Sequence, residues 1–356
     1  MPPSYDAIVV GGRVAGALTA AGLAARGHSV LVLEARAFPS ATLSTHFFRG
    51  DGLVRSLSAL GLLDQLTERA PRLTCEYFYV GGSPHAHKNP PQEPGEVGFN
   101  LSFRREPLDH LVASHVAGIP GVEFRTGVKV VELVRDGGTV VGVLDDTGQT
   151  HIAPVTIGAD GRRSGVARRV DAGVQETHPA ARVMYYGYVT GWSGPDGSGP
   201  DGPEFSLSGN EMVYVFPSDG DTACVALTVP LSDYDDARID PPAFFRSHLE
   251  AHQGLRPRYQ SAPAHGKLFV GMPEDSLVRT ACGPGWALVG DAGTHQDPWS
   301  GFGMDTAARQ ADALASTFSP DATSWNQAYA EARDAVTLER FHSTVAAAPD
   351  LGVLLS

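Results

Sequence analysis

The chain opens with two short runs rich in β-branched residues, 5–10 and 29–34, separated by an alanine-rich stretch, 15–26, that closes at Gly27. Runs of this length predict strands and the stretch between them predicts a helix, giving a β-α-β unit with parallel strands. Beyond Pro107 a helix is expected over 108–116. Four strands follow over 122–125, 128–134, 140–144 and 151–157, read as one meander punctuated by Gly127, Gly137-Gly138 and Gly148.

From about residue 173 to residue 280 the pattern changes to turn-rich segments and alternating aromatic strands, among them 183–188, 212–216 and 223–227. This predicts a second, antiparallel module. One face of it presents either Met184, Tyr186 and Tyr188 or Val183, Tyr185 and Gly187, and a period of two does not say which set points inward. Met212, Tyr214 and Phe216 form a second apolar set. The glycine- and proline-rich segment 191–200 lacks a following helix and reads as an exposed loop. A strand over 286–289, a helix over 302–318 and a last helix from Thr323, with Ser324 as its candidate cap, complete the chain.

A length of 356 residues allows about two domains, and the formal charge of −13 with a pI near 5.4 disfavours nucleic acid and anionic lipid as partners. Lysine occurs only at 88, 129 and 267, so the positive charge is nearly all arginine, a bias that fits phosphate binding or a GC-rich genome. Cys75, Cys224 and Cys282 form no Cys-x-x-Cys pair, which suggests neither zinc nor a disulfide framework, and no metal is expected. No apolar run reaches the roughly 18 to 20 residues of a membrane span, and the start lacks a basic leader region, so a cytoplasmic protein is expected.

Three segments carry candidate chemistry. In the first, a strand enters Gly11-Gly12-Arg13-Val14-Ala15-Gly16. Gly11 permits a tight turn, Gly16 lets the helix pack closely on the strand, and the free amides at the helix start, around Ala15, attract a pyrophosphate. Glu34 ends the second strand, where a carboxylate accepts hydrogen bonds from a ribose. Arg13 replaces the middle glycine of Gly-x-Gly-x-x-Gly; its guanidinium could meet a phosphate oxygen or point outward as a loop residue. In the second segment, residues 156–164, a strand runs into Asp160-Gly161, with Ser164 able to cap a short helix. In the third, residues 287–303, a strand delivers Asp291 into a loop through His295, Pro298, Gly301, Phe302 and Gly303 that opens a helix running on through Met304.

The ordered trio, together with Arg105 in Arg-x-x-Leu-Asp, resembles the FAD-dependent oxidoreductases of the p-hydroxybenzoate hydroxylase superfamily, including its geranylgeranyl reductase-like subgroup, over nearly the whole chain. The resemblance implies noncovalent FAD, with NAD(P)H as a transient reductant or a separate flavin reductase as partner. It implies that Arg105 lies near the cofactor and that Asp160 supports FAD and NAD(P)H binding. Asp291 would bond the ribityl chain and Pro298 would lie over the isoalloxazine. Gly301, Phe302, Gly303 and Met304 would bring amides and a helix N-terminus to its N1 and O2 edge. The positive end of that helix would favour reduced, anionic flavin.

Residues 42–50 follow the second strand where the family's loop passes the cofactor, so Arg49 could bind the diphosphate or a nicotinamide phosphate. His46 could face the flavin edge, either could be plain loop, and Arg36 is a further candidate of the same kind. Thr294 stands where many of the hydroxylases have histidine; His295, one position on, is a candidate proton-transfer group or a structural histidine. Catalytic candidates are therefore His46, His295 and Pro298.

The expected fold class is α/β. A Rossmann-like FAD-binding domain, 1–74, 100–172 and 281–356, combines a parallel sheet with the meander; a smaller antiparallel-sheet substrate domain spans 75–99 and 173–280. The expected function is an FAD-dependent monooxygenase of specialised metabolism. NAD(P)H and O2 would act through a flavin C4a-hydroperoxide on an aromatic or polyketide-like small molecule. The alternative is a flavin-dependent reductase or dehydrogenase acting on a carbon-carbon bond. A halogenase is disfavoured because the strand at 212–217 carries no Trp-x-Trp-x-Ile-Pro.

Overall fold

The structure, a computed structural model, describes residues 5–44, 47–88, 97–321 and 323–355. Its central sheet has six strands in the order Cys282–Gly283, Trp286–Leu288, Val155–Gly158, Ala7–Val10, Val30–Glu34, Val122–Thr126, parallel except for the hairpin at the first edge. The three central strands are buried at every residue, as continuous apolar runs must be when both sheet faces are covered. On one face, the alanine-rich helix Val14–Ala24 lies against the helix Gly303–Thr317. The approach is so close that a Cβ on Gly22 would stand 2.9 Å from that of Ala315.

Register brings the candidate loops together. Val10 sits opposite Leu33 and Gly158, and Gly158 opposite Leu288, so the strands that precede Gly11, Ala159 and Val289 end at one level. In an open parallel sheet this carboxyl edge is where ligands bind.

Two expectations for the middle of the chain need correction. Val122–Thr126 is not part of a meander; the helix Arg105–Ala117 acts as a crossover and delivers it parallel to Val30–Glu34. The run 151–157 is two strands, Thr150–Ile152 and Val155–Gly158, separated at Pro154, which has no N–H to continue a ladder. The meander that remains is Val130–Asp136, Thr139–Asp145 and Thr150–Ile152.

The second module is a seven-stranded sheet in the order Ala264–Val270, Arg182–Thr190, Thr222–Pro230, Glu211–Pro217, Glu204–Ser208, Cys75–Val80, Ser83–Lys88. Its pairing is antiparallel except between Glu204–Ser208 and Cys75–Val80. It also carries two helices, Pro241–Ala251 and Arg256–Ser261, inside the stretch read as strands and turns; Asp240 caps the first by accepting from the Ala243 N–H at 3.0 Å. Val183, Tyr185, Val213, Val215 and Leu227 face this helical layer, packing on Phe245 and Leu249. The opposite set, Met184, Tyr186, Met212, Tyr214 and Phe216, faces the first module and meets Phe47 and Trp299.

At the C-terminal end Ser324 does not cap the last helix. Asp321 turns the chain instead, accepting from the Thr323 and Ser324 N–H groups at 3.0 and 2.7 Å, and the helix runs Asn326–Ala347. Among the described residues no helix is long and apolar enough to cross a membrane.

Candidate active site

The glycine loop is built as tightly as its sequence demands. Gly11 has a φ of 101°, and a Cβ there would lie 2.4 Å from the Ala159 carbonyl oxygen. A Cβ on Gly16 would fall 1.8 Å from the Gly11 carbonyl, so the helix start presses into the turn. The helix begins with Arg13 at its cap in extended conformation and no side-chain cap, which leaves the first-turn amides through Gly16 facing outward for an acceptor. Buried Glu34 shapes this loop from below, accepting from the N–H groups of Gly12 at 2.7 Å and Arg36 at 2.8 Å. The Arg36 side chain is exposed, and its backbone makes the contact.

Arg13 neither points away nor stands alone. Its guanidinium reaches the fully buried Asp109 carboxylate at 2.5 Å and Ser40 Oγ at 2.9 Å, while Arg105 takes the same carboxylate at 3.0 Å. Two cations on one carboxylate leave a positive surplus beside the glycine loop, where an anionic ligand group would complete the balance.

The second loop uses Asp160 locally. Its carboxylate accepts from Ser164 Oγ at 2.5 Å and from the Gly165 N–H at 2.7 Å, and Ser164 in turn caps the helix Gly165–Arg169 through the Ala167 N–H. Asp160 thus orders the loop beside Gly11.

In the third loop, Gly290 has a φ of 64° and would press a Cβ to within 2.9 Å of Ala15, which ties this loop to the first. Asp291 is partly exposed and lies 3.4 Å from Nδ1 of buried His295. Burial opposes the charge of Asp291, but attraction to His295, Arg105 and Arg162 outweighs it and holds the carboxyl below its usual range. Burial likewise opposes protonation of His295, and Asp291 reverses that, raising the imidazole. On either side of His295, Thr294 Oγ1 and Gln296 Oε1 are buried without a hydrogen-bond partner, two polar atoms that suit a polar ligand edge.

Pro298 is exposed at the head of a short 3-10 turn, and Gly301 closes that turn in the left-handed region with φ 72°. Phe302 then caps the helix without a side-chain bond, so the amides of Gly303 and Met304 are free of intrahelical acceptors. A Cβ on Gly303 would meet nothing within 4 Å, which marks open space in front of the helix N-terminus. Tyr214, from the second module, donates its hydroxyl to the Trp299 carbonyl at 2.8 Å, joining the aromatic sheet face to this loop.

Arg49 lies with its guanidinium over the rings of Phe47 and Phe302, at 5.1 and 4.6 Å. His46 lies outside the described residues. The sequence reading missed Asp305, which is fully buried and accepts from the Leu53 N–H at 2.8 Å and the Arg49 N–H at 3.2 Å. Burial pushes its carboxyl up to about 6. It also missed Asp51, held by Arg309 and Arg340 at 2.6 Å each, and those positive charges outweigh its burial to keep its carboxyl low. The available signal for Asp305 was an acidic residue in the first turn of an otherwise alanine-rich helix.

These features describe a cradle for a dinucleotide with a flat, polar-edged ring. Residues 4–321 match the family described as FAD binding domain. The chain belongs to this family. As an FAD binding domain protein it falls in the p-hydroxybenzoate hydroxylase-type superfamily and is an FAD-dependent oxidoreductase, with NAD(P)H the reductant typical of such proteins. Kynurenine 3-monooxygenase of Salinispora arenicola is 28% identical to it over 92% of this chain and 75% of the relative. Digeranylgeranylglycerophospholipid reductase of Haloferax volcanii is 23% identical over 89% of this chain and 76% of the relative. Pseudomonas aeruginosa PqsL in complex with 2-aminobenzoylacetate shares the fold at a TM-score of 0.75 and 22% identity, covering 97% of this chain and 94% of that one. The residues present fit FAD: a glycine cradle, a positive surplus beside it and open space before a bare helix N-terminus.

Proposed function

We propose that the protein is an FAD-dependent monooxygenase that inserts one oxygen atom of O2 into an aromatic or polyketide-like small molecule, with electrons from NAD(P)H. The observation that carries this reading is the aromatic face of Met184, Tyr186, Met212, Tyr214 and Phe216, tied to the Pro298–Gly301 loop by the Tyr214 hydroxyl. In this reading a flat apolar substrate is taken up against that face, beside the loop. The kynurenine 3-monooxygenase relative, whose name describes oxygenation of an aromatic compound, supports the same class.

In this reading the Gly11–Gly16 turn holds the pyrophosphate, Glu34 the ribose and Asp291 the ribityl hydroxyls. Pro298 and the amides of Gly303 and Met304 would hold the isoalloxazine end of the cofactor. Bound FAD, once reduced, supplies the electrons that activate dioxygen. The protein's own contribution is orientation and exclusion of water: the aromatic sheet face covers the substrate. Asp291 keeps His295 inclined to carry a proton at Nδ1, next to buried Thr294 and Gln296.

The test is NAD(P)H oxidation by FAD-loaded protein across a panel of hydroxy- and amino-aromatic compounds, followed by mass spectrometry of products formed under 18O2. One labelled oxygen per product is expected. Turnover that continues anaerobically and leaves the product unlabelled would assign the reductase chemistry instead.

A further inference from the structure

Three arginines, the cofactor candidate Arg49 and the unassigned Arg309 and Arg340, gather beside the first turn of the Gly303–Thr317 helix. The Arg340 guanidinium, from the last helix, lies over the Phe302 ring at 4.9 Å, the same ring that Arg49 covers at 4.6 Å. Arg309, one helix turn from Asp305, shares Asp51 with Arg340 at 2.6 Å. Asp305 is engaged by backbone N–H groups. Three cations thus face two carboxyls, Asp51 and Asp305, and one of those carboxyls is raised by burial toward its neutral form. Arg49 Nη1, Arg340 Nη1 and Arg309 Nε are buried with no hydrogen-bond partner. A buried guanidinium N–H without an acceptor is costly, and ring faces offset that cost in part for Arg49 and Arg340.

The position of this surplus is specific. A Cβ on Gly301 would stand 4.0 Å from Arg49 Nη1, so the guanidinium lies against the loop that leads into the bare helix N-terminus. We propose that the Arg49–Phe302–Arg340 stack is an electrostatic determinant of the cofactor site that biases bound flavin toward its anionic forms. The inference rests on the reading that seats the isoalloxazine at Gly301–Gly303. Only partly exposed, each charge acts through an effective dielectric below that of bulk water and adds to the helix N-terminus.

Sulfite tests this with FAD-loaded full-length protein. Its sulfur lone pair forms a bond to flavin N5 and the negative charge moves to the N1–O2 locus, so bleaching of the flavin band reads the local field. R49M is expected to weaken sulfite binding roughly ten-fold. The same change corresponds to a two-electron midpoint potential lower by about 30 mV. R340M moves both readings the same way from a different helix, and R49K, which keeps the charge, retains sulfite affinity. Asp51→Asn removes a negative charge and is expected to tighten sulfite binding. This opposite sign is something a merely structural role does not produce. Unchanged sulfite affinity and potential in FAD-loaded R49M and R340M would overturn the proposal. Wild-type FAD affinity in Gly303→Val would remove the seating of the ring itself.

Discussion

Arg13 and Asp109 stand 96 residues apart in sequence and 2.5 Å apart in the fold, and this ion pair replaces what a middle glycine does elsewhere in such loops. The arginine is anchored to the Arg105–Ala117 helix, which keeps its bulk away from the first-turn amides. Asp109→Ala would leave Arg13 and Arg105 sharing no carboxylate in a mostly buried setting, at a cost of about 3 kcal/mol or more. Arg13→Ala costs less, since Asp109 keeps Arg105. Urea unfolding of both variants checks the order; an Asp109→Ala midpoint equal to wild type would show that the pair does not hold the loop.

Gly301 and Gly303 are two residues apart, yet their substitutions are expected to fail differently. Gly301 needs a left-handed φ of 72°, so Gly301→Ala should lose about 1 kcal/mol of stability through backbone strain. Gly303 has ordinary helical geometry and open space at its Cβ, so Gly303→Val should melt within about 0.7 kcal/mol of wild type while losing FAD. Thermal melts of flavin-free protein and flavin fluorescence titrations separate the two effects. Equal FAD affinity in Gly303→Val and wild type contradicts the assignment.

That contrast explains what was readable in the chain. Gly11, Gly16 and Gly301 impose backbone requirements within a few residues, so the loops and the helix that starts at Gly303 could be read locally. The partner of Arg13 could not, because Asp109 becomes its neighbour only after a crossover helix is laid on the sheet. The same holds for Asp305 and the Arg49–Leu53 turn, 256 and 252 residues away. Alternation along 183–188 identified two faces, but period two carries no sign; the helix Pro241–Ala251, packing on Tyr185, decides it. Val122–Thr126 joins the central sheet rather than the meander for a related reason, since its sequence does not say which sheet edge lies free.

Glu211 fastens that helix to the sheet. It pairs with His248 and with Nε2 of His252, the latter at 3.1 Å, and His252 Nδ1 bonds Ser206 Oγ at 2.7 Å. Burial opposes the Glu211 charge, but the two histidines more than offset it and hold the carboxyl down at about 2. The hydrogen bond to Glu211 raises His248. A depressed carboxyl contributes stability above its unfolded pKa and loses it as pH falls toward about 2. A raised histidine contributes fully below its unfolded pKa and loses that as pH rises through the folded one. The contribution is therefore largest between about pH 4.5 and 6.5. Glu211→Gln should depress Tm most in that window and less at either side; a pH-independent loss would mean packing, not charge.

Asp305 gives the opposite sign. Its carboxyl is raised by burial to about 6 despite the N–H groups of Leu53 and Arg49, so its contribution is full below the unfolded value and declines as pH rises through about 6. Ionising it costs on the order of 3 kcal/mol at pH 8. Asp305→Asn keeps an oxygen for the Leu53 N–H and removes the titration. The variant should therefore melt higher than wild type at pH 8 and converge with it near pH 4, a difference that urea midpoints at the two pH values would measure. A variant less stable than wild type at pH 8 would show that the charged form is the better partner for the Arg49–Leu53 turn. The same substitution subtracts a negative charge beside Arg49, so it should also tighten sulfite binding at pH 8, where the wild-type carboxyl is ionised. Stability and flavin electrostatics then move together from one atom change, which links the turn that carries Arg49 to the helix whose N-terminus is proposed to face the ring.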